Sequence, residues 1–255
     1  MIDIINAKKV FNEYVKKYNA NDGKIALKIA HILRVADLSK KIAISLNLSE
    51  EDIELAELIG LLHDIGRFEQ VRIYNTFIDK ISINHGEYGV KVLFEDNLIE
   101  KFNVDKKYYK IIKTAILNHN RSEIEEGLSD VELLHSKIIR DSDKLDIFYV
   151  LSTDTIKNIY GCELLENETF SEEIIREFKE DHIINYKNRN TYGDIWISHV
   201  AYVFDFNYKD SYITMKENDY INKLLKKANF KNENTLKEAK EMIDMANDYI
   251  DMKLQ

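Results

Sequence analysis

The adjacent residues His63 and Asp64 have the clearest chemical potential in this sequence. They directly follow the apolar stretch IELAELIGLL, so both side chains are expected at the end of a buried helix. A buried imidazole and a buried carboxylate are costly to desolvate unless a partner satisfies them, and a divalent metal ion is such a partner. The pair therefore marks a candidate metal site, provided that further ligands reach it.

Other side chains that could bind the same ion lie on both sides of this pair. They are His31, His85, His119 and Asp143. Taken singly, each has an ordinary explanation, because a lone histidine is more often a core residue, an exposed residue or a helix-end residue than a ligand. Asp143 lies in the charge run RDSDKLD, which is typical of a solvated face. Its apolar flanks indicate that part of this run turns inward.

The elements that must position these residues are predicted to be helices. Apolar residues recur with a period near 3.6 along nearly the whole chain, and the sequence has no proline and only 8 glycines, which favours long helices. Ser49, with Asp52 three residues later, is a capping signal for the helix that ends near His63. The pattern predicts one all-α domain over residues 1–255, with a core at about 24–150 and a helical extension at about 151–255.

The individual helices follow from the same periodicity. They are expected at about residues 2–18, 24–46, 50–63, 107–118 and from 130 onwards, with another beginning at His85, whereas residues 66–84 are interpreted as a loop or short helix. The first of them places five apolar or aromatic residues near one face, namely Ile2, Ile5, Val10, Tyr14 and Tyr18.

Composition excludes several classes of function. The formal net charge of -9 disfavours a broad nucleic-acid surface, although not a small phosphate ligand held by a metal ion. The single cysteine, Cys162, excludes an intrachain disulfide framework and a zinc ribbon. No apolar run approaches ~18 residues and the N-terminal segment has no signal-peptide layout, so we expect a cytoplasmic protein without a membrane partner.

Taken in their order along the chain, the candidate ligands resemble those of the HD-domain superfamily of metal-dependent phosphohydrolases. The match runs from His31 through His63-Asp64 in the context LLHDIG to Asp143 in the context IIRDSDKLD, and it covers roughly residues 24–150. The resemblance implies an all-α fold of the HD-domain type, in which separate helices bring these four ligands to one metal ion.

Two further matches to this superfamily imply a second metal ion. His85, followed by Gly89, resembles a segment that donates another histidine, and His119 lies where two-metal members place the next one. Asp64 would then bridge the two ions, because a carboxylate has two oxygens to share. In the alternative, one ion binds, and His85 and His119 act as proton donors or phosphate contacts.

The sequence departs from two well-known branches of the superfamily. Asn120 stands where the cyclic-dinucleotide branch has a second adjacent histidine, and no Gly-Tyr-Pro follows. After Asp64 comes IGRFE rather than the acidic pair of the alarmone hydrolases. These differences argue against both substrate assignments.

Histidines and carboxylates around a metal ion with open positions suit hydrolysis, because the ion lowers the pKa of bound water from ~15.7 towards ~7.

Arg67 could bind a phosphate group through two N–H donors, although it could also be a surface arginine paired with Glu69 or Glu57. Lys144 could neutralise phosphate charge beside Asp143, or point to water. A ligand set without thiolate suits Mn, Fe, Co, Ni or Zn, and the resemblance favours Mn or Fe.

The leading hypothesis is therefore a hydrolase acting on a small phosphorylated molecule such as a nucleotide, with Asp64, Arg67, His85, His119 and Lys144 in catalytic roles. The alternative is a catalytically silent regulatory protein that binds a metal ion and a nucleotide. A third hypothesis is a helical interaction protein whose histidines are scattered and bind no metal ion. A homodimer through the aromatic-rich C-terminal half is also compatible with the sequence, which leaves the substrate itself open.

Overall fold

A computed structural model of the chain describes every residue except Ala20. The described residues form helices joined by turns, and they contain no β-strand, so the predicted all-α fold is confirmed. Among these residues, no helix is both long and apolar enough to cross a membrane.

The α-helices are, in chain order, α1 (Ile4–Val15), α2 (Gly23–Ser45), α3 (Glu50–Leu62), α4 (Gly66–Tyr74), α5 (His85–Val90), α6 (Tyr109–His119), α7 (Asp130–Thr153), α8 (Ile156–Tyr160), α9 (Glu172–Arg176), α10 (Tyr192–Val200), α11 (Lys209–Glu217), α12 (Tyr220–Ala228) and α13 (Glu233–Leu254). Short 3₁₀ or π-helical segments occupy Asp79–Ile81, Lys91–Glu95, Leu98–Phe102, Lys106–Tyr108, Glu177–Asp181, Tyr186–Asn188 and Ala201–Asp205.

The chain divides into two compact units, Met1–Asp146 and Ile147–Gln255. The first unit contains every candidate ligand identified in the sequence. The second unit begins within α7 and is built from the remaining helices. The expectation that residues 1–255 make up a single domain stays a prediction.

Local capping explains where the helices of the site begin. The Ser49 side chain accepts a hydrogen bond from the backbone N–H of Asp52, so the predicted cap of α3 is confirmed. Asn84 likewise accepts from the N–H groups of Gly86 and Glu87, and this cap makes His85 the first residue of α5. Each cap satisfies a backbone donor that the helix itself leaves free.

Two glycines allow the helices of the site to lie close together. A Cβ atom on Gly60 of α3 would lie 2.7 Å from the Ala36 Cα atom of α2. A Cβ atom on Gly66, at the start of α4, would lie 2.4 Å from the backbone oxygen of His85 in α5. Both approaches are closer than a larger side chain permits, so these contacts depend on glycine.

The face predicted for α1 is only partly correct. Ile2, Tyr14 and Tyr18 are buried as predicted, but Ile5 is 85% exposed. The prediction for Ile5 was therefore wrong. The helix begins only at Ile4 after the Asp3 cap, and it turns Ile5 outward while Ala7 and Phe11 face the core.

Candidate metal centre

Six side chains of the first unit converge on one buried point. They form three overlapping groups in which the potential ligand atoms lie within 4.8 Å of one another: His31, His63 and Asp64; His63, His119 and Asp143; and Asp64, His85 and His119. Each group is close enough to hold a metal ion. All six residues are the ligands predicted from the sequence, and the structure brings them together.

The first part of this cluster, here called the His31 half, comprises His31, His63 and Asp143. The Nε2 atom of His31 lies 3.2 Å from Oδ1 of Asp143 and 3.4 Å from Oδ2 of Asp64. The Nε2 atom of His63 lies 3.6 Å from the same Asp64 oxygen and 3.8 Å from Oδ1 of Asp143. Two imidazoles and two carboxylates therefore face a common centre.

The second part, here called the His85 half, comprises His85 and His119. Their Nε2 atoms lie 3.4 Å and 3.6 Å from Oδ1 of Asp64. Asp64 thus directs one oxygen to each half of the cluster. This arrangement is the one that a carboxylate needs to be shared between two metal ions.

All four histidines direct the same ring nitrogen at the centre, because the other nitrogen already has an acceptor. The Nδ1 atoms of His63 and His119 donate to the backbone oxygens of Gly60 (2.7 Å) and Ile116 (2.6 Å). Those of His31 and His85 contact carboxylate oxygens of Asp146 and Asp79, both at 2.6 Å. A carbonyl oxygen accepts only, so the proton lies on Nδ1 and, in the neutral ring, the Nε2 lone pair faces inward.

Inward lone pairs leave polar atoms that the described protein groups do not satisfy. The Nε2 atoms of His31 and His63 and Oδ1 of Asp64 are buried and have no hydrogen-bond partner among the described residues. The Nε2 atoms of His85 and His119 face each other at 2.9 Å. A buried orphan acceptor is costly, and two facing lone pairs repel, so this donor set fits a bound cation.

The charges around the cluster favour the same conclusion. Burial raises the pKa of both Asp64 and Asp143, but other groups outweigh burial and hold both pKa values well below the usual range. These groups are Lys28 and the surrounding histidines for Asp64, and His31 and His63 for Asp143. Burial lowers the pKa of His63, and burial together with Arg67 lowers the pKa of His85 to about 4. Ionised carboxylates and neutral imidazoles are the protonation states that bind metal ions.

His31 differs from the other two shifted histidines. Burial and Lys28 lower its pKa, but the nearby carboxylates of Asp143, Asp146 and Asp64 outweigh both and raise the pKa to about 10. Three carboxylates therefore surround this ring. The His31 half therefore has the more negative electrostatic potential, which favours a bound cation most strongly.

Separate helices deliver the cluster. α2 supplies His31, the C-cap of α3 is His63, and α5 begins at His85. α6 ends at His119, and α7 supplies Asp143. The residues at helix ends are placed by the caps and close glycine contacts of the fold, whereas His31 and Asp143 are placed by the two long helices.

The predicted cations take different positions. Arg67 does not pair with Glu57 or Glu69; its Nη1 atom donates to the side chains of Gln70 (2.6 Å) and Asp79 (2.8 Å) and to the backbone oxygen of Phe77 (2.7 Å). Its Nε atom lies 3.5 Å from Oδ1 of Asp64. Lys144 follows Asp143 in α7 and is buried. Phosphate roles for Arg67 and Lys144 stay predictions.

Several residues of the site were missed by the sequence analysis. Lys28 donates a 2.6 Å hydrogen bond to Oδ2 of Asp64, and Arg34 binds Asp146 through its Nε atom at 2.5 Å. Lys28 and Arg34 lie three residues before and after His31, and Asp146 lies three residues after Asp143. Residues three apart are neighbours on a helix, so this spacing could have identified Lys28, Arg34 and Asp146 from the sequence. Asp79 lies in a 3₁₀ segment, and no sequence pattern marks it.

Comparison with known families agrees with this geometry. The family model of the HD domain matches residues 29–148, a range that contains all six convergent residues and Asp146. Residues 29–148 form an HD domain. HD domains belong to the superfamily of metal-dependent phosphohydrolases, so the predicted family is confirmed. No curated protein and no solved structure matches the chain.

Proposed function

We propose that this HD-domain protein is a metal-dependent phosphohydrolase that cleaves a phosphate ester of a nucleotide or a similar small phosphorylated molecule. One observation carries the proposal. Four imidazoles direct Nε2 at a centre that also contains two ionised carboxylates, in the ligand order of the HD domain. A site that only stabilised the fold would not need so many unsatisfied acceptors in one place.

The residues divide naturally between two ions. His31, His63 and Asp143 would hold one, His85 and His119 the other, and Asp64 would contact both. When bound, such ions polarise a phosphoryl oxygen and acidify water, which is the chemistry that phosphate-ester hydrolysis requires. The set of nitrogen and oxygen donors suits Mn or Fe, with Co, Ni and Zn as further candidates.

The protein itself supplies orientation and shielding. The Nδ1 partners hold the four rings so that their Nε2 atoms stay aimed at the centre. His63 and Asp64 are buried, whereas Asp143, Lys28 and Arg67 are partly exposed. A substrate would therefore approach along the edge formed by Asp143, Lys28 and Arg67.

The direct test uses purified protein loaded with Mn²⁺ and a panel of phosphate monoesters, diesters and nucleoside triphosphates. Wild-type protein should hydrolyse at least one class, and Asp64→Asn should lose both metal and activity. Asp37→Asn is the matched control, because Asp37 is exposed and lies outside the cluster. Activity that survives in Asp64→Asn contradicts the mechanism. Tight metal binding without turnover on the whole panel favours the regulatory alternative.

A further inference from the structure

Lys28 occupies a position that the metal ligands alone do not explain. It lies on α2 one turn before His31, and residues three apart share a face of a helix. Its Nζ atom lies 2.6 Å from Oδ2 of Asp64 and 5.3 Å from the ring centre of Phe77. The side chain is 14% exposed, so the ammonium group lies at the accessible edge of the centre.

Lys28 also has free hydrogen-bond donors beside the centre. Among the described residues, its ammonium group has one hydrogen-bond partner, Asp64, although an ammonium group carries three donors. The neighbouring cation Arg67 differs in that its Nη1 atom contacts Gln70, Phe77 and Asp79, so this side chain also holds the segment around Asp79 in place. Lys28 therefore has both the location and the free donor capacity to bind a further anion.

We propose that Lys28 binds the phosphoryl group of the substrate beside the metal centre, an inference that rests on the proposed function. Phosphoryl oxygens that do not contact a metal ion still carry negative charge, and the ammonium group beside Asp64 lies where it could bind them. An ammonium group is a compact point charge that suits phosphoryl oxygens. In this position it would stabilise the negative charge spread over these oxygens during phosphoryl transfer.

The competing explanation is that Lys28 serves only as the counter-ion of Asp64. The two roles predict different results when the charge is removed. A counter-ion competes with metal for Oδ2 of Asp64, so its loss would tighten metal binding and leave phosphate binding unchanged. A phosphate ligand would instead lose phosphate affinity while metal binding stays equal or becomes tighter.

The experiment measures binding of Mn²⁺, and then of inorganic phosphate to the Mn²⁺-loaded protein, by titration calorimetry. The proteins are wild type, Lys28→Met, Lys28→Arg and the control Lys24→Met. Lys24 lies on the same helix but is exposed and contacts Asn75 instead. We expect Lys28→Met to weaken phosphate binding roughly 10- to 100-fold, Lys28→Arg to restore part of it, and Lys24→Met to change nothing.

Unchanged phosphate affinity in Lys28→Met, or loss of its Mn²⁺ binding, overturns the assignment of Lys28. So does a wild-type protein that binds Mn²⁺ but no phosphate. Hydrolysis by wild type together with unchanged phosphate affinity in Lys28→Met overturns this assignment alone. Phosphate binding that depends on Lys28, without any hydrolysis, removes the proposed function and leaves the assignment standing. If Lys28→Met does not fold, Lys28→Gln takes its place in the same comparison.

Discussion

The two halves of the metal centre are built on the same plan but on different supports. In each half a histidine contacts one carboxylate oxygen through Nδ1, and an arginine donates a hydrogen bond to the other oxygen of the same carboxylate. The first triad is His31, Asp146 and Arg34, and the second is His85, Asp79 and Arg67. Asp146 is 1% exposed, whereas Asp79 is 30% exposed.

The supports explain this difference. The His31 triad lies on the long helices α2 and α7, whereas Asp79 lies in a three-residue 3₁₀ segment. A short segment opens locally more easily than packed helices do. We therefore expect the His31 half to hold its ion permanently and the His85 half to bind its ion more weakly and exchange it.

The largest effect is expected from Asp146→Asn. Loss of this buried charge should weaken binding of the ion in the His31 half by roughly 10- to 100-fold. It should also lower the free energy of unfolding by about 2–4 kcal/mol, because Arg34 loses its buried partner. Metal titration and urea denaturation of the same protein measure both quantities. Unchanged metal affinity would show that Asp146 is not needed to orient His31.

Asp79→Asn should act on the other half alone. We expect the Mn²⁺ stoichiometry at moderate metal concentration to fall from two to one, because the ion in the His85 half loses roughly 10- to 100-fold in affinity. The unfolding free energy should change by less than about 1 kcal/mol, because the carboxylate is partly exposed. Equal destabilisation by Asp79→Asn and Asp146→Asn would contradict the comparison.

The two close glycine contacts offer a matched pair of smaller perturbations. Gly66→Ala forces apart α4 and the start of α5, which carries His85, whereas Gly60→Ala forces apart α2 and α3, which carry His31 and His63. Each should cost about 1–3 kcal/mol of stability by overpacking. Metal titration should place the weakened ion in the His85 half for Gly66→Ala and in the His31 half for Gly60→Ala. If both variants weakened the same ion, the distinction between the two halves of the metal centre would be contradicted.

The pH dependence of stability in metal-free protein should also separate the halves. The pKa of His85 is lowered from 6.5 to about 4, so its contribution is present above pH 6.5 and is lost as the pH falls towards 4. The pKa of His31 is raised to about 10, so its contribution is present below pH 6.5 and is lost as the pH rises towards 10. Urea denaturation of His85→Gln and His31→Gln against wild type should therefore give pH profiles that deviate in opposite directions. Deviations of the same sign would contradict this account of the two rings.

The sequence alone identified the six candidate ligands, but not the side chains that orient or contact them. Helical periodicity predicts the fold because each helix buries one face, and the ordered set from His31 to Asp143 matches a known family pattern. The Nδ1 partner of His85 depends on a tertiary approach of the loop at Asp79, which no local pattern encodes. Asp146 and Lys28 were within reach, because each lies three residues from a predicted ligand on the same helix. Ile5 was misplaced because, at 3.6 residues per turn, it lies on the opposite face of α1 from Tyr14.

The most direct test of the central claim is a crystal structure of the Mn²⁺-loaded protein with anomalous scattering. We predict two anomalous peaks ~3.5–4 Å apart, one on each side of Asp64. Each should lie about 2.0–2.2 Å from the Nε2 atoms of two histidines, His31 and His63 for one peak and His85 and His119 for the other. The absence of any peak at Asp64, or coordination through Nδ1, would contradict the account.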